Sequence, residues 1–135
     1  MIDHKTAPYA ALVLRTALAV MFLAHGFTKI FVFTLPGTAQ FFSSVGFPGW
    51  MAYPVAGAEV FGGLFLLIGL YPRLVAAALL PVLIGASTVH LANGWLFGNA
   101  NGGWEYPVFL IAAALVQVLM GDGAFALKRS PRFAD

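Results

Sequence analysis

The sequence predicts an all-α integral membrane protein, a four-transmembrane-helix bundle with both termini in the cytoplasm, and three observations carry that prediction. Hydrophobic residues make up 61% of the 135-residue chain and charged residues 9%, with a mean hydropathy of +0.89. The apolar residues fall into four stretches of near-spanning length, since a hydrocarbon core about 30 Å thick needs about 20 apolar residues per helix. The cations Lys5, Arg73, Lys128, Arg129 and Arg132 all lie where an even number of spans puts them on one side, and Lys and Arg are enriched on the cytoplasmic side. A single transmembrane domain, 1–135, is expected. The longest connection, from Phe33 to Met51, leaves no room for a soluble catalytic domain.

The first span, 7–32, opens with Pro8 in its first turn, where a missing N–H costs nothing, and stops before Pro36-Gly37. Lys5 followed by this apolar run is like a signal peptide. The run is too long, carries Arg15 and has no small-residue cleavage site, so it reads as a retained signal anchor. The second span, 52–70, ends at Gly69 and the turn Leu70-Tyr71-Pro72-Arg73, which makes it an antiparallel neighbour of the third, 73–93. In the third, Pro81 removes the N–H that would bond the Ala77 carbonyl, and a mid-span kink is expected. The fourth, 105–120, ends at Gly121-Asp122-Gly123 and is short for a span. Between the first two spans, 38–45 suits a short interfacial helix with Gly46 at its end. The loop from Gly94 to Gly103 reads either as a lid or as a plain solvated connection.

Both longer loops then face outward. Trp50, Trp95, Trp104 and Tyr53 form an outer aromatic belt, and Tyr9 and Tyr71 an inner one. The net charge of +2 and pI near 9.2 are an orientation signal in this setting and do not indicate nucleic acid. The absence of cysteine removes disulfides, thiol relays and thiolate metal sites, and no metal site is expected.

Five ionisable residues stand within or at the ends of the spans: His25, Lys29, Glu59, His90 and Glu105. A charge at the centre of a spanning helix costs roughly 2.5–3.5 kcal/mol on insertion scales, so it persists when paired, hydrated or used. At about 100° per residue, Phe22, Gly26 and Lys29 fall within about 40° of Arg15, and His25 within about 80°, so the first span has one polar face. Glu59 shares a face with Ala56 and Gly63 and is flanked by Ala58 and Gly62, small residues that let a partner helix approach. Glu59 and His25 lie at similar depths, and His90, Asn93, Trp104 and Glu105 gather at the same outer end. Lys29 and Glu59 are the centre of the expected cluster, with His25 the third catalytic candidate and His90, Asn93, Trp104 and Glu105 the ligand-binding candidates. Each also has a structural reading. Lys29 can snorkel, Glu105 can complement a helix dipole, His90 can be a structural histidine, and Lys29 with Glu59 can be an ion pair that only locks two helices. Arg15 is assigned to stability, reaching the inner interface or pairing with Asp122.

Taken together, Leu14-Arg15 leading to His25-Gly26-Phe27-Thr28-Lys29, then Gly46-Phe47-Pro48, Ala58-Glu59 with Gly62-Gly63, Gly69-Leu70-Tyr71-Pro72-Arg73, His90, Gly103-Trp104-Glu105 and Gly121-Asp122-Gly123 give a chain that resembles the DoxX family of small four-helix bacterial membrane proteins. The resemblance covers about 12–128. It implies a multi-pass protein of the bacterial inner membrane and a link to thiosulfate:quinone oxidoreductase subunits and membrane redox complexes.

The leading functional expectation is a quinone-linked redox protein or subunit, an oxidoreductase component. His25 or Lys29 would donate to a ring carbonyl and Glu59 or Glu105 would exchange protons, with Phe27, Phe31, Phe61 and Trp104 lining an apolar pocket. His25 and His90, on different spans at comparable depth, are placed as haem ligands would be, but two lone histidines are slight evidence and haem is not expected. Two alternatives stand beside it. One is a non-catalytic scaffold in the bilayer recruiting a soluble redox partner through the basic tail Lys128 to Arg132. The other is a small-solute or proton transporter that works as a homo-oligomer.

Overall fold

The computed structural model describes residues 3–131, so Arg132 of the basic tail lies outside the described residues. The described residues form five α-helices. Helix α1, Ala7–Phe27, continues without a break into a π-helical turn, Thr28–Val32. Helix α2 is Leu35–Ser44. A 3₁₀ turn, Gly49–Met51, leads into α3, Ala52–Ile68, and α4, Pro72–His90, runs out in a second 3₁₀ turn, Leu91–Asn93, before α5, Glu105–Met120. The described residues contain no strand, only one isolated bridge between Leu70 and Lys128.

Three stretches are long and apolar enough to cross a membrane: Ala7–Val32, Gly49–Ile68 and Pro72–Asn93. The apolar α5, at 16 residues, is shorter. Helix α2 starts three residues before the expected 38–45. Its start is set by Thr34, whose hydroxyl accepts from the Gly37 N–H at 3.2 Å, and by Pro36, which fits a first helical turn. Helix α4 passes through Pro81 as one continuous helix.

The helices pack in the cyclic order α1, α3, α4, α5, with the most extensive contacts between α1 and α3 and between α4 and α5. Leu18 and Phe22 from α1, Leu66 from α3, and Leu79 and Leu83 from α4 form the core, with Ala19, Ala76 and Ala114 filling between them. In lipid there is little hydrophobic drive to associate, so close backbone approach and van der Waals contact must hold the helices together. A Cβ on Gly63 would sit 2.8 Å from Leu23 Cγ and 3.1 Å from the Ala19 carbonyl oxygen. One on Gly62 would meet Leu79 of α4 at 2.8 Å. Adjacent glycines thus serve different neighbours. The outward surface is apolar, with Leu119, Phe109, Val13 and Phe61 all largely exposed, as a lipid-facing wall requires.

One end of the bundle, the tail end, is closed by residues 121–131. The Ala124 N–H donates to the Pro8 carbonyl at 2.8 Å, Lys128 N–H to Gly69 at 3.1 Å, and Tyr71 N–H to Lys128 at 2.9 Å. Gly69 caps α3 in the left-handed region at φ 75°, and a Cβ there would press on both Ala126 and the Arg15 guanidinium. Beneath this strap Arg15 is 2% exposed and donates to the Asp122 backbone carbonyl at 2.7 Å. The Asp122 carboxylate itself is taken by Ser130, through its N–H at 2.8 Å and its hydroxyl at 2.6 Å, and by the Arg73 N–H at 3.3 Å. Arg15 therefore does meet Asp122, but through the main chain. The Lys128 ammonium lies 5.1 Å above the Tyr71 ring.

Candidate functional site

At the opposite, loop end, the geometry starts from the π-helical turn. Phe33 N–H bonds the Thr28 carbonyl, five residues back, at 3.0 Å. One extra residue in the turn rotates the chain beyond it relative to a regular helix, a device often found at functional sites. The turn carries Lys29. The Thr38 hydroxyl, from α2, lies 3.1 Å from the Lys29 carbonyl and 2.9 Å from the Thr34 carbonyl, and Thr38 is 3% exposed. Helix α2 is thereby tied to the backbone of the residue whose side chain enters the bundle.

Lys29 Nζ stands 2.8 Å from both Oε1 and Oε2 of Glu59. Hydrogen-bond geometry is met at Oε1 only, which leaves Oε2 buried without an aligned donor. The carboxylate can sit this close to α1 because Gly26 faces it: a Cβ on Gly26 would come within 3.1 Å of Glu59 Cβ and 2.7 Å of Val60 Cγ2. Glu59 is 5% exposed. His25, one turn before Lys29, places Nδ1 2.8 Å from the Met21 carbonyl oxygen, and its ring stacks on Tyr106 at 6.0 Å and 25°. The Tyr106 hydroxyl points to Met21 Sδ at 3.5 Å.

These groups line a cavity of ≈ 240 Å³. Phe41, Phe42 and Phe47 cover it from α2 and the loop behind it, Met21 and Phe22 form one wall, and α4 from Pro81 to His90 the other, with Tyr106 and Leu110 from α5. Two more open clefts adjoin it. One, ≈ 700 Å³, is lined by His25, Trp95, Phe97, Glu105, Tyr106 and Phe109; the other, ≈ 660 Å³, runs between α1 and α2 past His25, Lys29 and Thr38. His25 borders all three.

The structure thus brings Lys29, Glu59, His25 and His90 around one cavity. The other candidates serve the second loop. His90 Nδ1 lies 3.0 Å from the Gly102 carbonyl and 3.1 Å from that of Asn101, and Asn93 Nδ2 donates to the same two oxygens at 2.9 and 3.2 Å. Trp104 N–H bonds the Gly94 carbonyl at 3.0 Å, and its ring meets Trp95 edge-on at 4.5 Å. Glu105 accepts the Phe97 N–H at 2.8 Å while bordering the cleft it shares with His25. The loop is pinned at both ends, which a freely swinging lid would not be.

Phe27, Phe31 and Phe61, expected to line a pocket, face outward and are 43%, 75% and 62% exposed. Phe27 and Phe31 lie two residues on either side of Lys29, and Phe61 two after Glu59. On a helix, residues two apart lie on nearly opposite faces. Thr38, Tyr106 and the α2 aromatics supply the surroundings instead. Tyr106 had a usable signal, since it follows Trp104-Glu105 in the first turn of an apolar helix. Thr38 had only its place four residues after Thr34. Among the described residues no group of three or more His, Cys, Asp or Glu side chains converges.

An all-helical chain with three bilayer-length apolar stretches, an apolar outer wall and an ion pair buried between α1 and α3 is a polytopic helical membrane protein. It belongs to the DoxX family, which it matches over residues 10–91, more than half of the chain, including all of α2, α3 and α4 and most of α1. Over 124 residues it is 32% identical to the Bacillus subtilis (strain 168) protein named "Putative oxidoreductase CatD", an alignment covering 92% of this chain and 88% of that protein. No solved structure matches it.

Proposed function

We propose that this protein is a quinone-linked redox protein or subunit of the bacterial inner membrane, holding a single quinone ring beside Lys29, Glu59 and His25. The observation that carries the reading is a titratable ion pair inside a membrane helix bundle, bordering an aromatic-walled cavity of ≈ 240 Å³. A dry cavity of about 150 Å³ takes benzene, so this one has room for a substituted ring and not for a porphyrin. The fit is chemical as well, since Glu59 Oε2 is buried with no aligned donor. The oxidoreductase name of the Bacillus relative agrees in reaction class.

When bound, a quinone supplies exchange of two electrons and two protons. The chain's own residues would position the ring and handle protons. Lys29 holds the Glu59 carboxylate by an aligned bond to Oε1 and a 2.8 Å charge contact to Oε2, and Oε2 would be the atom at which a ring proton is taken or given. His25, bordering the cleft it shares with Glu105, joins that atom's surroundings to the loop end. Tyr106 holds the His25 ring by stacking, and the α2 aromatics line the space beside it. Electrons are exchanged with a separate redox partner or with a substrate oxidised beside the ring. We place α1, α3, α4 and α5 across the bilayer with the cationic tail end in the cytoplasm, which puts the cavity in the outer half.

The test is titration of the purified protein in nanodiscs with a short-tailed single-ring quinone in its oxidised and reduced forms. Saturable binding is expected, weakened about tenfold or more by Glu59→Gln. Absence of binding by the native protein in either form would refute the reading.

A further inference from the structure

The polar atoms lining the cavity are unequal in kind, and the imbalance bears on which redox form of a ring it holds. The inference rests on the quinone-linked reading. His25 Nδ1 is 2.8 Å from the Met21 carbonyl oxygen. A carbonyl only accepts, so Nδ1 carries the proton, and of the two ring nitrogens Nε2 is the one that can accept. His90 is under the same constraint, with Nδ1 against the carbonyls of Asn101 and Gly102 at 3.1 and 3.0 Å. Glu59 adds a third acceptor, Oε2, buried and without an aligned hydrogen bond.

Donors are scarcer. The Tyr106 hydroxyl is directed to Met21 Sδ at 3.5 Å. The Lys29 ammonium stands 2.8 Å from each Glu59 oxygen but is aligned on Oε1 alone, so it is the one cationic donor group at the cavity. Three acceptor atoms on three side chains therefore border the cavity against one cationic donor group, Lys29. A buried acceptor left unmet costs free energy, and a ligand that brings only acceptors leaves it unmet.

We propose that the cavity selects the reduced, dihydroxy form of a single-ring quinone, a hydroquinone whose two hydroxyls donate to Glu59 Oε2 and to one histidine Nε2. A ring carbonyl in the same place would set its lone pairs against a carboxylate oxygen or an imidazole lone pair. Only Lys29 would meet it favourably. The ring's oxidised form is then the one the site releases.

The experiment compares a methyl-substituted 1,4-hydroquinone with its own quinone, titrated anaerobically into the full-length protein in nanodiscs. The chain has no cysteine for the quinone to alkylate. The hydroquinone should bind at least about tenfold more tightly. Glu59→Gln, which exchanges one acceptor for an amide donor, should narrow that ratio, as should His25→Phe. If either variant fails to fold, the comparison on the native protein still decides. Equal or tighter binding of the quinone overturns this inference and leaves the quinone-linked reading standing; no binding of either form removes both.

Discussion

Lys29 and Glu59 hold each other at 2.8 Å with their side chains 19% and 7% exposed, and neither charge is tolerable there alone. Removing one partner of a buried pair commonly costs about 3–5 kcal/mol, because the other charge stays behind, whereas replacing both with apolar side chains of similar volume is often neutral. Lys29→Met should therefore lower thermal stability in nanodiscs by an amount in that range. Lys29→Met combined with Glu59→Leu should recover most of it. The double variant should nonetheless bind neither the quinone nor the hydroquinone, since folding and ligand recognition use the same two side chains for different reasons. Equal destabilisation by the single and double changes would mean that the pair does more than neutralise itself. This pairing was legible in the sequence because ionisable residues in apolar spans must find partners, and Gly26 and the small residues around Glu59 marked where two helices could meet. The lining of the cavity was not legible. Phe27, Phe31 and Phe61 neighbour the polar residues along the chain, yet two positions on a helix turn a side chain to the opposite face.

At the scale of elements, the site depends on a π-helical turn and on the short helix laid against it. No residue between Thr28 and Val32 announces such a turn. Thr38 reaches from α2 to the Lys29 carbonyl, and Thr34 accepts φ 62° to start α2 at Leu35. Periodicity found the helix within three residues but not its direction across the bundle end, and that direction is what puts Phe41 and Phe42 over the cavity. The long apolar helices were easier to read, since composition and Gly or Pro punctuation define them locally. The second loop shows the same limit. Its glycines suggested motion, while the bonds from His90, Asn93, Trp104 and Glu105 that pin it join residues eight or more positions apart, and Asn93 and Trp104 do so through backbone carbonyls that leave no mark in the sequence.

Across the whole molecule the two ends differ in character. The tail end gathers cations and is strapped by 121–131 through main-chain bonds and the buried Arg15. The loop end gathers aromatics and the cavity. With cations on the cytoplasmic side, a single cysteine placed at Asn99 should react with a membrane-impermeant thiol reagent added outside intact cells. One placed at Arg129 should react only after lysis. The native chain contributes no background, having no cysteine. Reversed labelling would move the cavity to the cytoplasmic half without altering its chemistry. The most direct measurement of the central claim is an experimental structure of the protein saturated with a single-ring hydroquinone. The account predicts the ring between α1, α3 and α4 beneath Phe41 and Phe42, with a hydroxyl within hydrogen-bond distance of Glu59 Oε2. A ring bound elsewhere, with the Lys29–Glu59 pair closed over by side chains, would contradict it.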